Sequence, residues 1–224
     1  MGDVVKVRSL LAGEGGGLLV DLQDQDGASP LHAACAYGHM EVVHTLLSRG
    51  AKVDMQTKDG TSPLYAACFP GHLEVVRILL SAGAKVDLQT EDGFSPLHLA
   101  CRFGHTDVVR ALLSWRAKVD MQITNGTAPL HEACMCGHVE VVHTLLCAGA
   151  EVDQQTKDGG SPLHAACKGG HTDVVRTLLS AGAKANLQAK EGVSPLHVAC
   201  QGGHTEVVCA LLSGEGQDRP AGQS

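Results

Sequence analysis

The sequence predicts an all-α solenoid, a stack of short helix pairs in which each pair is one copy of a 33-residue unit. Three observations predict it. Prolines recur without slip at Pro30, Pro63, Pro96, Pro129, Pro162 and Pro195. Each proline opens the same punctuation: a helix start, a Gly stop, a second apolar helix, another stop and an acidic-Gly or Asn-Gly turn. Finally, 44% of the 224 residues are hydrophobic but only 3% are aromatic, so the core is built of Ala, Leu, Val and Cys at close, regular spacing.

The elements follow in order. Residues 1–25 form a half unit: "DVVKVRSLLA" matches only the second helix of a repeat, and "GEGGGLL" is a longer, Gly-rich loop. The array then runs over 26–213, with units starting near 26, 59, 92, 125, 158 and 191. In the first unit Ser29 is placed to cap a helix whose first position is Pro30, where the missing N–H costs nothing. Leu31, Ala34 and Cys35 share one face by their i, i+3, i+4 spacing. Gly38 stops this helix. "MEVVHTLL" gives a second helix with Glu41 in its first turn, favourable to the dipole, and a wide apolar face. Gly50 ends it, and "AKVDMQTKDG" runs extended into an Asp-Gly turn. The tail, 214–224, is polar and Gly-rich and is expected to be disordered. Val207, Val208, Leu211 and Leu212 of the last helix have no following unit, so open apolar surface and self-association are expected there.

The segments "SPLHAA", "SPLYAA", "SPLHLA", "APLHEA", "SPLHAA" and "SPLHVA", each followed by a Gly-His pair such as Gly38-His39 or Gly104-His105, resemble the ankyrin-repeat family over roughly residues 2 to 213. The resemblance implies an L-shaped unit, two antiparallel helices with a β-hairpin loop projecting at a right angle. It also implies that the first histidine of the motif bonds neighbouring loop backbone. Tyr65 replaces that histidine in one unit.

Several functions are disfavoured. A net charge of −7 argues against a general phosphate-binding surface and so against nucleic acid. No apolar run is long enough for a membrane span or a signal peptide, and an intracellular protein, cytoplasmic or nuclear, is expected. Six of the nine cysteines, Cys35, Cys68, Cys101, Cys134, Cys167 and Cys200, are a repeat column. Stacked units lie about 8–10 Å apart, too far for column residues to share a zinc or close a disulfide. No nucleophile has a base and an orienting group in sequence context, and "GEGGG" lacks the strand and Lys-Ser/Thr of a phosphate loop. No catalysis, cofactor or metal is expected.

Partner binding is expected instead. Columns that touch the next unit must hold, and columns facing water are free to specialise. Tyr37, Phe69, Phe94, Arg102 and Phe103 stand in those free columns, in the first three units, with Met135 in the next. Exposed aromatics with Arg are the composition of binding hot spots. The expected function is a non-catalytic interaction module or scaffold, taking an unidentified protein or peptide through its concave groove and hairpin tips. The alternative is the substrate-recognition arm of a larger assembly such as a ubiquitin ligase. Trp115-Arg116 replaces the usual Ala-Gly after a second helix and should strain that loop or end its helix differently. "LLSAGAKANLQ" is similar to ankyrin segments modified by an asparaginyl hydroxylase, with Leu178 eight residues before Asn186, which makes Asn186 a candidate hydroxylation site.

Overall fold

The computed structural model describes residues 19–214. It divides into two compact units, Met1–Lys118 and Val119–Ser224. The described part of the first holds three helix pairs: α1 (Pro30–Ala36) with α2 (Met40–Ser48), α3 (Pro63–Cys68) with α4 (Leu73–Ser81), and α5 (Pro96–Arg102) with α6 (Thr106–Ser114). The second holds α7 (Pro129–Cys136) with α8 (Val139–Cys147), α9 (Pro162–Gly169) with α10 (Thr172–Ser180), and α11 (Pro195–Gln201) with α12 (Thr205–Gly214). Within each unit first helices pack on first helices and second helices on second helices. The core is the predicted one in the first five repeats: Leu31, Ala34, Cys35 and their counterparts are buried, with Val43, Leu46 and their counterparts from the second helices, whereas in the last repeat Leu196 and Val208 are half-buried and Cys200 is exposed.

Helices this short are marginal alone, so the contacts between successive repeats must hold them. Three recurring interlocks do so. First, the motif histidine bridges repeats. His32 Nδ1 accepts the Ser29 backbone N–H at 3.0 Å, and its Nε2 donates to the Thr61 carbonyl of the next hairpin at 3.0 Å. His131 and His164 do the same toward Gly160 and Val193, at 3.2 and 3.1 Å. The Ser29 hydroxyl is therefore turned to the His32 ring, at 2.9 Å, and does not cap the helix as expected. The simple cap survives at Ser62, where Tyr65 stands in place of histidine: there the hydroxyl oxygen accepts the Tyr65 N–H at 3.2 Å.

Second, the Gly-His histidine fits the space left by the glycine of the preceding repeat. A Cβ on Gly71 would stand 2.7 Å from the His105 ring, and one on Gly137 would stand 2.5 Å from His171. Both glycines also have positive φ, +78°. The His105 and His171 Nε2 atoms then donate to the Phe69 and Met135 carbonyls, each at 3.0 Å. Third, loop carboxylates take amides of the next loop: Asp54 accepts the Lys85 N–H at 2.9 Å and Asp153 the Lys184 N–H at 3.0 Å. The recurring loop aspartates, which look solvated in sequence, thus tie one repeat to the next.

The projecting loops are tight turns, with no strand among the described residues. A typical tip is closed by Thr57 N–H to the Thr61 carbonyl at 3.0 Å, and successive tips are joined by Lys58 N–H to the Asp26 carbonyl at 2.9 Å. Arg116 has φ of +63°, the left-handed conformation its sister glycines adopt (Gly83, +88°; Gly149, +90°), so the predicted strain at Trp115-Arg116 is present. The Cβ atom itself meets nothing there, since Gly50, Gly83, Gly149 and Gly182 all face open space.

The half unit proposed for 1–25 falls mostly outside the described residues, as does most of the tail. In its described end, Asp21 accepts the Lys52 N–H at 3.0 Å and Gln23 donates to the Gly27 carbonyl, the loop contacts of an ordinary repeat. At the other end the expectation of open apolar surface needs narrowing. Val207 and Leu211 are buried, because their side of α12 lies against the preceding repeat. Val208 is half-buried, leaving Leu212, at 53% exposure, as the main apolar residue of α12 facing out.

Candidate partner-binding face

The face in question is the outer side of each first helix and the adjoining hairpin tip. Proline and the capping arrangement fix where each first helix begins. Burial of Leu31, Ala34 and Cys35 then fixes its rotation, leaving Ala33, Ala36 and Tyr37 outward. The same rotation in the next repeats exposes Phe69 and then Arg102 and Phe103.

The structure brings some of the predicted site residues together and separates others. Phe69 and Phe103 meet edge to face, with ring centroids 4.8 Å apart, and stay 57% and 43% exposed. Phe103 also stacks on His105, at 6.3 Å, so its ring rests on an interlocking histidine. Tyr37 is the most exposed aromatic of the face, at 74%, and its ring lies along His39 of its own repeat. Phe94 is half-buried: it stands edge-on to His98, with centroids 5.9 Å apart, and fills the angle between tip and helix. Arg102 is exposed beside Phe103. Met135 is exposed on α7, in the second unit. Asn186 is exposed in the turn after α10, whereas Leu178 is wholly buried within that helix.

A feature absent from the sequence-based expectation lies in the second unit. A cavity of about 370 Å³ opens between the hairpin tips and the first helices, with Gly160 and Ala165 among its lining residues. The corresponding positions in the third repeat are the half-buried Phe94 and the buried Leu99, while the first two repeats carry Ala28 with Ala33 and Thr61 with Ala66. The signal was present in sequence as Gly160, the member of the tip column that has no side chain, with Ala165 on the helix that follows it.

The buried polar groups are electrostatically quiet. Burial holds the His32, His131 and His164 imidazoles below the ordinary histidine range, opposed in part by their carbonyl partners. That favours the neutral tautomer, with Nε2–H donating and Nδ1 accepting, which both bonds require. Burial pushes the Cys35 and Cys167 thiols up to about 12, and Cys68 and Cys134 upward as well. Such thiols stay protonated, and a protonated thiol is a poor nucleophile and a poor metal ligand. Among the described residues no three His, Cys, Asp or Glu side chains are grouped to hold a metal ion. Nor, among the described residues, is any helix long and apolar enough to cross a membrane.

The sequence matches the family description "Ankyrin repeats (3 copies)" over residues 2–90, 82–156 and 148–220. No curated protein matches it significantly. Among solved structures, the ankyrin repeat domain of human ASB11 is similar at 33% identity and a TM-score of 0.86, covering 98% of this chain and 96% of that one. Ankyrin repeats are protein–protein interaction modules, and the Pro column, the bridging histidines and the Gly-His interlocks are the residues through which this chain shares their architecture. The chain belongs to the ankyrin repeat family.

Proposed function

We propose that the chain is a non-catalytic binding module that takes a protein or peptide partner on the first-helix and hairpin-tip face, anchored at Phe69 and Phe103. One observation carries this reading: two large rings from successive repeats meet edge to face, yet remain about half exposed. The core columns are filled without them, so their retention on the surface is accounted for by binding. Tyr37 and Arg102 are exposed on the same face of the first unit, Phe94 stands at its third tip against His98, and Met135 is exposed on the matching face of the second unit. Buried aromatic and Arg anchors dominate interface energies. The nine free cysteines, five of them buried, suit a reducing intracellular setting. The same face would serve an independent scaffold or the substrate-recognition arm of a larger assembly such as a ubiquitin ligase.

The test is affinity capture from cell extract with the wild-type chain, the Phe69→Ala/Phe103→Ala variant and Arg110→Ala on the outer helix α6. Melting curves run alongside. The partner should be lost with the aromatic variant at unchanged melting temperature, and retained with Arg110→Ala. Loss with Arg110→Ala instead would move the site to the outer helices. Co-captured ligase subunits would favour the larger assembly.

A further inference from the structure

The cavity of the second unit deepens that reading and rests on it. At about 370 Å³ it lies near the lower end of small-ligand pockets, roughly 300–1,000 Å³, a size for one or two side chains. Its origin is local. Gly160 leaves the hairpin tip without a side chain, and Ala165 leaves the facing helix with only a methyl group. Met135, Val193 and Val198 supply apolar walls.

The two imidazoles that also line it, His131 and His164, already spend both ring nitrogens on repeat-bridging bonds. They are held neutral by burial, and so offer an entering group neither charge nor a free hydrogen bond. The charged lining is Glu132 and Asp158 against one ammonium, Lys168. Asp158 also pairs with Lys190 on the tip, but both side chains are more than 70% exposed, and such a pair is weak and readily exchanged. Among the lining side chains themselves, two carboxylates thus stand with one ammonium beside apolar walls, on a chain of net charge −7.

We propose that this cavity seats a large apolar side chain of an extended peptide segment, with a Lys or Arg of the same segment beside it facing Glu132 and Asp158. The apolar side chain covers Gly160 and Ala165, taking the volume that Phe94 and Leu99 occupy in the first unit. The basic neighbour sets which segments are accepted, and its contribution weakens with salt because the carboxylates stand at the rim.

The sister repeat supplies a fold-safe variant. Gly160→Phe/Ala165→Leu installs the pair that the first unit already carries. Gly160 does not have the positive φ of its neighbour Gly159. A Cβ at Gly160 meets only Thr156 Oγ1, at 3.3 Å, and Phe94 sits beside Thr90 in the same way, its N–H bonded to Thr90 Oγ1 at 3.1 Å. The experiment pans a random peptide library on the full chain, then measures enriched peptides by titration. Four proteins are compared: wild type, Gly160→Phe/Ala165→Leu, Glu132→Gln/Asp158→Asn, and Phe69→Ala/Phe103→Ala.

The expected result is enrichment of peptides pairing a large apolar residue with an adjacent Lys or Arg. These should bind the filled variant about thirtyfold more weakly, at unchanged melting temperature. They should bind the Glu132→Gln/Asp158→Asn variant up to about fivefold more weakly, with the basic preference gone. Enriched peptides without a basic residue, undiminished binding to the filled variant, or no enrichment on the wild type would each overturn the inference. Binding lost only in Phe69→Ala/Phe103→Ala would overturn it while leaving the broader binding reading standing. Binding kept by both the filled and the aromatic variants would overturn the two together.

Discussion

The two units of this chain are built by one rule and finished by two. In both, a histidine ring occupies the space a glycine leaves open, and a loop carboxylate holds the next loop's amide. The faces they present differ. In its third repeat the first unit sets Phe94 and Leu99 in the angle between tip and helix, and it carries Phe69 and Phe103 as an exposed pair. The second places Gly160 and Ala165 in that angle and leaves a cavity. The stacking positions carry the architecture, so the outward positions can be a protrusion in one unit and a recess in the other at little cost to the fold.

The largest expected effect tests the shared part of this comparison. Gly71→Ala and Gly137→Ala each force a Cβ to within 2.7 Å or less of a histidine ring, and both sites have φ of +78°. Each should cost about 3 kcal/mol in urea denaturation, the sum of left-handed strain and displaced packing. Gly83→Ala and Gly149→Ala have the strain without the clash and should cost about 1 kcal/mol. Equal losses at all four sites would show that the histidine interlock contributes little.

The next effect concerns the differing part. Phe103→Ala should weaken partner binding by about 2 kcal/mol with little change in stability, while Met135→Ala in the second unit should cost about 1 kcal/mol or less. Isothermal titration with a captured partner measures both, and a reversed order would place the anchor in the second unit.

Acid should act through the bridging histidines. His32, His131 and His164 have folded pKa values below the free imidazole's value of about 6.5. The unfolded chain therefore takes up protons first as pH falls. Their stabilising contribution is present above about pH 6.5 and is lost as pH falls from there toward the folded values. Melting temperature should drop across that window, with amide exchange rising first in the tips they hold, near Thr61, Gly160 and Val193. A flat profile from pH 7.5 to 5.5 would sink this assignment.

Smaller still is Arg116→Gly, which relieves a left-handed Arg at φ +63° but adds freedom to the unfolded chain, for a net gain of about 0.5 kcal/mol. A loss would mean that the Arg116 side chain holds the loop. Hydroxylation of Asn186, checked by peptide mass mapping after treatment with an asparaginyl hydroxylase, should be slow on the folded chain, because Leu178 is wholly buried. It should rise on destabilising that same repeat, and its interlock with His204, by Gly170→Ala. No oxygen addition in either form would end the idea.

Much of this was legible in the sequence because periodicity reports on contacts that must be repeated. The proline, cysteine and Gly-His columns located the six described helix pairs and, in all but the last, the buried face of the first helix. Individual partners were less legible. Ser29 reads as a helix cap, but a histidine three residues on competes for its hydroxyl; the Ser194 hydroxyl serves both the His197 N–H and the His197 ring, and the repeat with Tyr65 shows the cap without that competition. Phe94 reads as an exposed anchor, but the tip folds back so that its ring meets His98. The cavity was hidden for a related reason: it belongs to a pair of positions, Gly160 and Ala165, that face each other only once the tip is closed. An inventory of large residues overlooks what two small ones leave open.

The interlocks also set a grammar for how such a chain can change length. Within either unit each bond joins residues at a fixed offset, 31 for carboxylate to amide and 29 for histidine to carbonyl. Gain or loss of one whole 33-residue period returns every donor to an acceptor of the same kind, whereas inserting a single residue between two partners misaligns all the bonds that span it. Repeats of this protein are therefore interchangeable words, and variation in their number is tolerated where variation in their spelling is not.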